Sequence, residues 1–459
     1  MPPKPPLLPA PPDPSPLLTD LYQFAMMQAY LDAGRTAPAC FEFFVRGLPR
    51  GRGFLVAAGL AQAVEWLQGL RFRAEELDWL RATGMFSGTL LDYLAQLRFD
   101  GDIDAMPEGR VFFPGEPILR VVAPLPLAQF VETRLINLLH LQTVIATKAA
   151  HLRLRAPDRA LIDFGLRRAH GAEAGLYAAR AAWIAGFDGT ATLRAAAAWG
   201  IPAQGTMAHA FVQAFESETD AFAAFATARP RDLALVIDTY DCARAATRIL
   251  GLMPRLSSRG IALGAVRIDS GDLAAEARRV RQILDGGGLA HVRILASGGI
   301  DEDILEAHAR EKPPIDGYGI GTSLSTSSDA PALDCAYKLQ DYAGIARRKL
   351  SPGKATWPGR KQVWRHYAPD GSIAEDTLSL EGDEQRGERL LTPVMRQGRL
   401  IDDDVFDLGG ARRLCRADLA RLPATARPAP RAGFAPSVAP ALRALAAATD
   451  ARIAAEVGS

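Results

Sequence analysis

Between residues 159 and 323 six short apolar runs recur: RALIDFG (159–165), GIPAQGT (200–206), LALVIDTYD (233–241), IALGAVRIDSGD (261–272), VRILASGG (292–299) and IDGYGIGTS (315–323). An alanine-rich helical segment follows each of the first five. Parallel strands need a crossover connection, usually a helix, so this alternation predicts parallel β/α units. Six such units in sequence favour a (β/α) barrel, complete or incomplete, over a sandwich.

Polar residues gather where each run ends: Asp163 and Arg167, Thr206 and His209, Asp238 and Asp241, Arg267 and Asp269, Ser297, then Thr322. In a parallel barrel these ends converge on one face, which is where sites are built. None of the six carries a lysine, which weighs against Schiff-base chemistry.

The last two ends are glycine-rich. Ser297, Gly298 and Gly299, then Gly321 and Thr322, let backbone amides approach an anion closely, and each loop opens a helix whose N-terminus favours negative charge. Paired loops after the final two barrel strands are the common phosphate site of this architecture, which points to a phosphorylated sugar. Arg167 and Arg267 suit bidentate capture of a carboxylate or phosphate, with a structural ion pair to Asp163 or Asp269 as the alternative. Asp269 and Asp272 could hold magnesium through a diphosphate; Asp272 could equally cap a helix. For His209 three roles stay open: a helix-terminal histidine, a general acid/base, or a nucleophile that takes up a phosphoryl group.

Before these units, LLTDLYQFAMMQAYLDAG reads as a capped helix in which Tyr22 looks like a core aromatic. ACFEFFVRGLP reads as a strand, two helical stretches follow, and residues 127–155 read as one long amphipathic helix. After residue 340, ARRKLSPGKATWPGRKQVWRHY reads as antiparallel strands, ARPAPRAGFAPSVAP as an extended linker and ALRALAAATDARIAAEV as a surface helix. The boundaries expected are a proline-rich tail at 1–16, an α/β domain at 17–150, a barrel-like catalytic domain at 151–335, and 336–459 packing on the first domain.

A net charge of +1 gives no electrostatic reason to expect nucleic acid or anionic membrane as partner. No apolar run reaches the length of a membrane span, and the proline-rich start lacks the apolar core of a signal peptide. Cys40, Cys242, Cys335 and Cys415 are scattered singly, which fits buried thiols in a reducing compartment rather than disulfides or a structural metal. A soluble, cytoplasmic protein is expected.

TDLYQFAMMQAY, FEFFVRGLP, FPGEPILRV, ETRLINLLHLQTVIATKAA, FGLRRAHG, GFDGT, GTMAHAFV, IDTYD, VRIDSGDL, ASGGI and GIGTSLST together resemble nicotinate phosphoribosyltransferase. The likeness runs from about residue 17 to beyond 365. It implies an α/β fold: an incomplete parallel (β/α) barrel beside a mixed α/β N-terminal domain completed by C-terminal β segments. It also implies a homodimer with shared active sites, and synthesis of nicotinate mononucleotide and diphosphate from nicotinate and 5-phosphoribosyl diphosphate, in NAD salvage. ATP hydrolysis would be coupled through a phosphohistidine, here His209, with Mg2+ accompanying diphosphate or ATP. By the same resemblance Thr206, Arg167 and Arg267 would contact nicotinate and Tyr22 would stack on its ring. Ser297, Gly298, Gly299, Gly321 and Thr322 would take the ribose phosphate. A nicotinamide-using relative fits less well, because nicotinamide has no carboxylate for two arginines to hold.

Overall fold

The computed structural model describes residues 13–351, 354–423 and 435–457. The chain divides into two compact units. Among the described residues one holds Lys148–Asp329; the other joins residues 13–147 with those from Ala330 onward. Most of the expected proline-rich tail and much of the expected linker near 426–440 lie outside the described residues.

Six parallel strands make the sheet of the first unit: β1 (Ala160–Asp163), β2 (Gly189–Thr190), β3 (Leu233–Val236), β4 (Leu263–Ile268), β5 (Arg293–Ser297) and β6 (Gly317–Ile320). They pair in the order β3-β4-β5-β6-β1-β2. A closed barrel would also join β2 to β3. These two are the edges of the sheet, so the barrel is incomplete and its seam falls between them.

The strands are almost continuously apolar and buried, as sheets covered on both faces require; Leu235, Val236, Val266, Ile268, Ile294 and Ile320 have no exposure. The crossover helices read as helices for local reasons. In Cys242–Ser257 the buried Ala245, Ala246, Ile249, Leu252 and Leu256 follow helical spacing. Three helices that follow strands begin behind an aspartate whose carboxylate accepts a first-turn amide: Asp241 from Arg244, Asp272 from Ala275 and Asp301 from Ile304, at 2.8–3.0 Å.

In the second unit the strand Pro38–Val45 is flanked by Cys335–Tyr342 and Pro117–Pro124, both antiparallel, in a seven-stranded sheet. C-terminal strands thus complete the N-terminal fold: Thr392–Arg396 adds to Asp102–Ala105 in the same sheet. Lys361–Tyr367 pairs with Ile373–Leu380 in a smaller sheet, and Pro440–Val457 is helical.

Several expectations are corrected. GIPAQGT is not a strand: its one sheet contact is a bridge from Ala203 to Thr190, and the strand in this position is Gly189–Thr190, paired with Ile162 and Asp163. The helix expected over 127–155 is two, Leu125–Phe130 and Glu132–Arg155, with Val131 closing the first. Three helices follow the first strand rather than two: Leu60–Gln68, Ala74–Thr83 and Gly88–Gln96. Only part of ARRKLSPGKATWPGRKQVWRHY is extended; apart from Ile345–Ala346 its strand is Lys361–Tyr367. The four cysteines are unbridged, with Cys40, Cys242 and Cys415 buried and Cys335 half-buried. Among the described residues no helix is long and apolar enough to cross a membrane.

Candidate active site

The carboxyl ends of β1, β2 and β4, the amino end of β3 and the seam segment surround a cavity of about 600 Å³. Phe164 and Arg167 line it after β1, Thr190 and Ala191 at β2, Gln204–His209 along the seam, and Arg267 and Asp269 from β4. A second chamber of about 320 Å³ shares Phe164 and residues 203–206 and reaches Gly264 and Arg293, toward the amino ends of the strands.

Arg267 is the most enclosed charge in this wall, 12% exposed. One terminal nitrogen donates to the Thr206 hydroxyl at 2.5 Å and, at 3.4 Å, to the carbonyl of Met207. The other lies 3.5 Å from Asp269, and the guanidinium sits 6.0 Å from the Phe164 ring centroid. Its Nε is buried without a hydrogen-bond partner. Burial pushes the Arg267 pKa below its ordinary value; Asp269 and Asp238 oppose the shift, and the like charge of Arg167 adds to it. Arg167 stands on the short 3-10 turn Leu166–Arg168, its side chain exposed at the cavity. The two arginines expected to act together are therefore brought together.

His209 opens the short helix His209–Gln213 and is 37% exposed. Its Nδ1 is 3.2 Å from the Thr239 hydroxyl; its Nε2 faces Asp269 at 3.6 Å and Asp238 at 3.9 Å. Asp238 is buried; its Oδ2 accepts from the Asp269 amide at 2.9 Å and the Ser270 hydroxyl at 2.6 Å, while its Oδ1 has no hydrogen-bond partner. A histidine with one nitrogen toward a hydroxyl and the other toward two carboxylates has a defined orientation and a partner for its positive form. This arrangement fits acid/base and phosphoryl-carrier chemistry as well as a satisfied helix-end histidine.

The two glycine loops are neighbours because β5 and β6 pair directly, Ser297 opposite Gly319. Gly298 has φ +88°, and a Cβ there would stand 2.0 Å from the Asp269 carbonyl oxygen, so this loop passes β4 at a distance only glycine permits. The Ser297 hydroxyl donates to Asp269. Gly321 precedes the helical turn Thr322–Ser325, and Thr322 is exposed.

Other expected residues are placed differently. Asp163 is buried; it accepts from Thr190 at 2.7 Å and the Gly165 amide at 2.8 Å, burial raises its pKa, and it organises β1 and β2 rather than pairing with Arg167. Asp272 spends an oxygen on its helix cap. Tyr22 belongs to the other unit, 47% exposed, where its hydroxyl donates to Glu132 at 3.2 Å; burial and the Glu132 charge raise its pKa. Among the described residues no group of three or more His, Cys, Asp or Glu is arranged to hold a metal unaided. Reading the sequence missed Thr239 and Phe164. Both lie at strand ends, beside Asp238 and Asp163, and position along the chain was their only signal.

Comparison with known proteins follows this geometry. Residues 17–140 match the model of the nicotinate phosphoribosyltransferase N-terminal domain, and 159–343 that of the nicotinate phosphoribosyltransferase family. The chain is 46% identical to nicotinate phosphoribosyltransferase pncB2 of Mycobacterium tuberculosis over 423 residues, 92% of this chain and 91% of that one. It is 39% identical to the nicotinate phosphoribosyltransferase of Bacillus subtilis, over 82% of this chain and 79% of the other. The crystal structure of human nicotinic acid phosphoribosyltransferase superposes with a TM-score of 0.85 at 29% identity, covering 94% of this chain and 99% of that one.

Proposed function

The chain belongs to the nicotinate phosphoribosyltransferase family, and from that premise we propose that it makes nicotinate mononucleotide with ATP hydrolysis coupled through His209. The pyridine nitrogen attacks the anomeric carbon of 5-phosphoribosyl diphosphate, the bond to the diphosphate oxygen breaks, and diphosphate leaves. Because that nitrogen already carries its lone pair, no strong base is needed; orientation and charge stabilisation carry the rate.

The observation that carries this reading is the pair Arg267 and Arg167 in one cavity wall with His209 facing two carboxylates. Arg267, with an unpartnered Nε and a face near Phe164, suits a flat aromatic acid: charge for the carboxylate, a ring for the ring. Thr206 holds Arg267 in place and is offered to nicotinate from the same position. The loops Ser297–Gly299 and Gly321–Thr322 take the ribose phosphate through backbone amides. Magnesium fits Asp269 and the unpartnered Oδ1 of Asp238 better than Asp272, whose carboxylate is engaged in capping. Held there with diphosphate, magnesium would supply charge neutralisation for the leaving group.

In the coupled step a ring nitrogen of His209 attacks the γ-phosphorus of ATP, the bond to ADP breaks, and Asp269 and Asp238 offset the histidine's charge. Phosphohistidine hydrolysis after synthesis makes the overall reaction favourable. Tyr22 supplies the ring stack from the partner subunit of a homodimer.

Diphosphate release from phosphoribosyl diphosphate is measured with nicotinate, nicotinamide or quinolinate, with and without ATP. Turnover with nicotinate, ATP stimulation and an acid-labile phosphate in the wild type are expected. His209→Ala retaining full ATP stimulation would refute the coupling. Mixed Tyr22→Ala and His209→Ala subunits should regain about a quarter of wild-type activity, since half of randomly mixed dimers keep one intact shared site. No recovery on mixing would remove the shared-site reading.

A further inference from the structure

We infer that Lys148 is a positioning residue that sets the spacing of the two phosphate loops, an inference that rests on the phosphoribosyl diphosphate reading above. The residue stands on the helix Glu132–Arg155 and touches neither loop glycine in sequence or chemistry. Its side chain is 1% exposed, and its ammonium ion-pairs with two carboxylates, Glu302 and, at 2.9 Å, Asp329.

The identity of those partners carries the inference. Glu302 is the first residue of the helix Glu302–Glu311, directly behind the capping Asp301 and three residues beyond Gly299. The amides at the start of this helix, with those of Ser297–Gly299, are the donors of one loop. Asp329 ends the turn that follows Thr322–Ser325. That turn is compact: Ser327 donates its amide to Leu324 and Ser328 to Ser323, and Ser327 itself is buried with φ +45°. One buried ammonium therefore grips the trailing end of both loops.

A buried lysine is costly unless its charge is paired, and two carboxylates pair it here, taking two of its three donors. If the charge is removed, Glu302 and Asp329 lose the ammonium they share, behind a site that must accept a polyanion. Both consequences, loosened loops and added net negative charge, weaken binding of the phosphorylated substrate first and reach Arg267 only through the Ser297–Asp269 contact. This predicts a split between the two substrates, which a general loss of folding would not produce.

The test compares Lys148→Met, Lys148→Arg and the milder Asp329→Asn, in the full-length chain, by steady-state kinetics in both substrates and by thermal unfolding. Lys148→Met should raise KM for phosphoribosyl diphosphate at least tenfold, with KM for nicotinate within twofold of wild type. Asp329→Asn, which keeps the Glu302 pair, should raise it about threefold, and Lys148→Arg should recover most of the loss. An unchanged KM for phosphoribosyl diphosphate in Lys148→Met, or equal increases for both substrates, would overturn the inference. Should Lys148→Met not fold, Asp329→Asn decides alone: no change in that KM overturns it. A wild type that releases no diphosphate from these substrates would instead refute the underlying function, so the two failures are distinct.

Discussion

Arg365 and Arg267 are both enclosed guanidinium groups, and the protein treats them in opposite ways. Arg365, in the antiparallel unit, is fully buried and uses four of its five N–H donors: its Nε and one terminal nitrogen bind Asp376 at 2.9 and 2.6 Å, and further bonds reach Asp418 and the Val111 carbonyl. Burial works against its charge, but Asp376 more than offsets this and its pKa is raised. Arg267, in the parallel unit, has a buried Nε with no partner, stands 3.5 Å from its nearest carboxylate, and has its pKa lowered by burial. A charge that serves the fold has its partners supplied by the fold. A charge left short of them is open to a ligand, as proposed for Arg267, and the separations at His209, 3.6 and 3.9 Å, follow the same pattern.

Substitution can break that contrast. Arg365→Met leaves Asp376 buried without its arginine, while Asp418 keeps Arg110 and the Val111 amide, and should cost about 3–5 kcal/mol in urea unfolding, the largest stability effect expected. Arg267→Met should change stability by less than about 1 kcal/mol yet raise KM for nicotinate about 100-fold, close to 3 kcal/mol of binding. Equal stability losses in the two variants would erase the distinction.

A smaller effect sharpens it through pH. Asp104 is buried, which pushes its pKa up, but Arg396 at 2.7 Å and Arg120 at 2.9 Å outweigh burial and hold it below the ordinary value. A lowered carboxyl contributes stability that is complete above its unfolded pKa, about 3.9, and is lost as pH falls through the folded value. Asp104→Asn should therefore flatten the acid limb of the stability curve; an unaltered limb would show that Asp104 does not contribute. Smallest of all, Asp272→Ala should cost about 1 kcal/mol for the lost cap and leave kcat unchanged. A large fall in kcat would return Asp272 to the magnesium site.

The same contrast explains what could be read from the chain alone. The parallel sheet was legible because each buried run stops at a polar residue, and both regularities are local. The loops at Ser297–Gly299 and Gly321–Thr322 were legible because glycine in that position has few uses. β2 was hidden: two residues, Gly189 and Thr190, carry no periodicity and are strand only through pairing with β1. The apolar GIPA drew the assignment that belonged to them. Lys148 looked like one polar position on an amphipathic helix, because its partners lie 154 and 181 residues further on. The orientation of His209 was equally hidden, since Thr239, Asp238 and Asp269 come from two other strand ends. What pattern cannot supply is a contact between segments that are remote in sequence.

The seam between β2 and β3 gives this cavity an uneven mechanical character. Thr190, Ala234 and Arg267 of its wall are woven into the sheet, but beyond the Thr190–Ala203 bridge and the amide of Gln204 the backbone through Met207 leaves the ladder. There the wall is tethered from the side, by Arg267 holding Thr206 and Thr239 meeting His209. A ligand that draws Arg267 toward its own carboxylate therefore loosens one tether of the strand of chain that ends in His209. On the proposed reading, occupancy of the acid pocket and the reach of the histidine are linked through Thr206, the Met207 carbonyl and the Asp269 carboxylate that faces both Arg267 and His209.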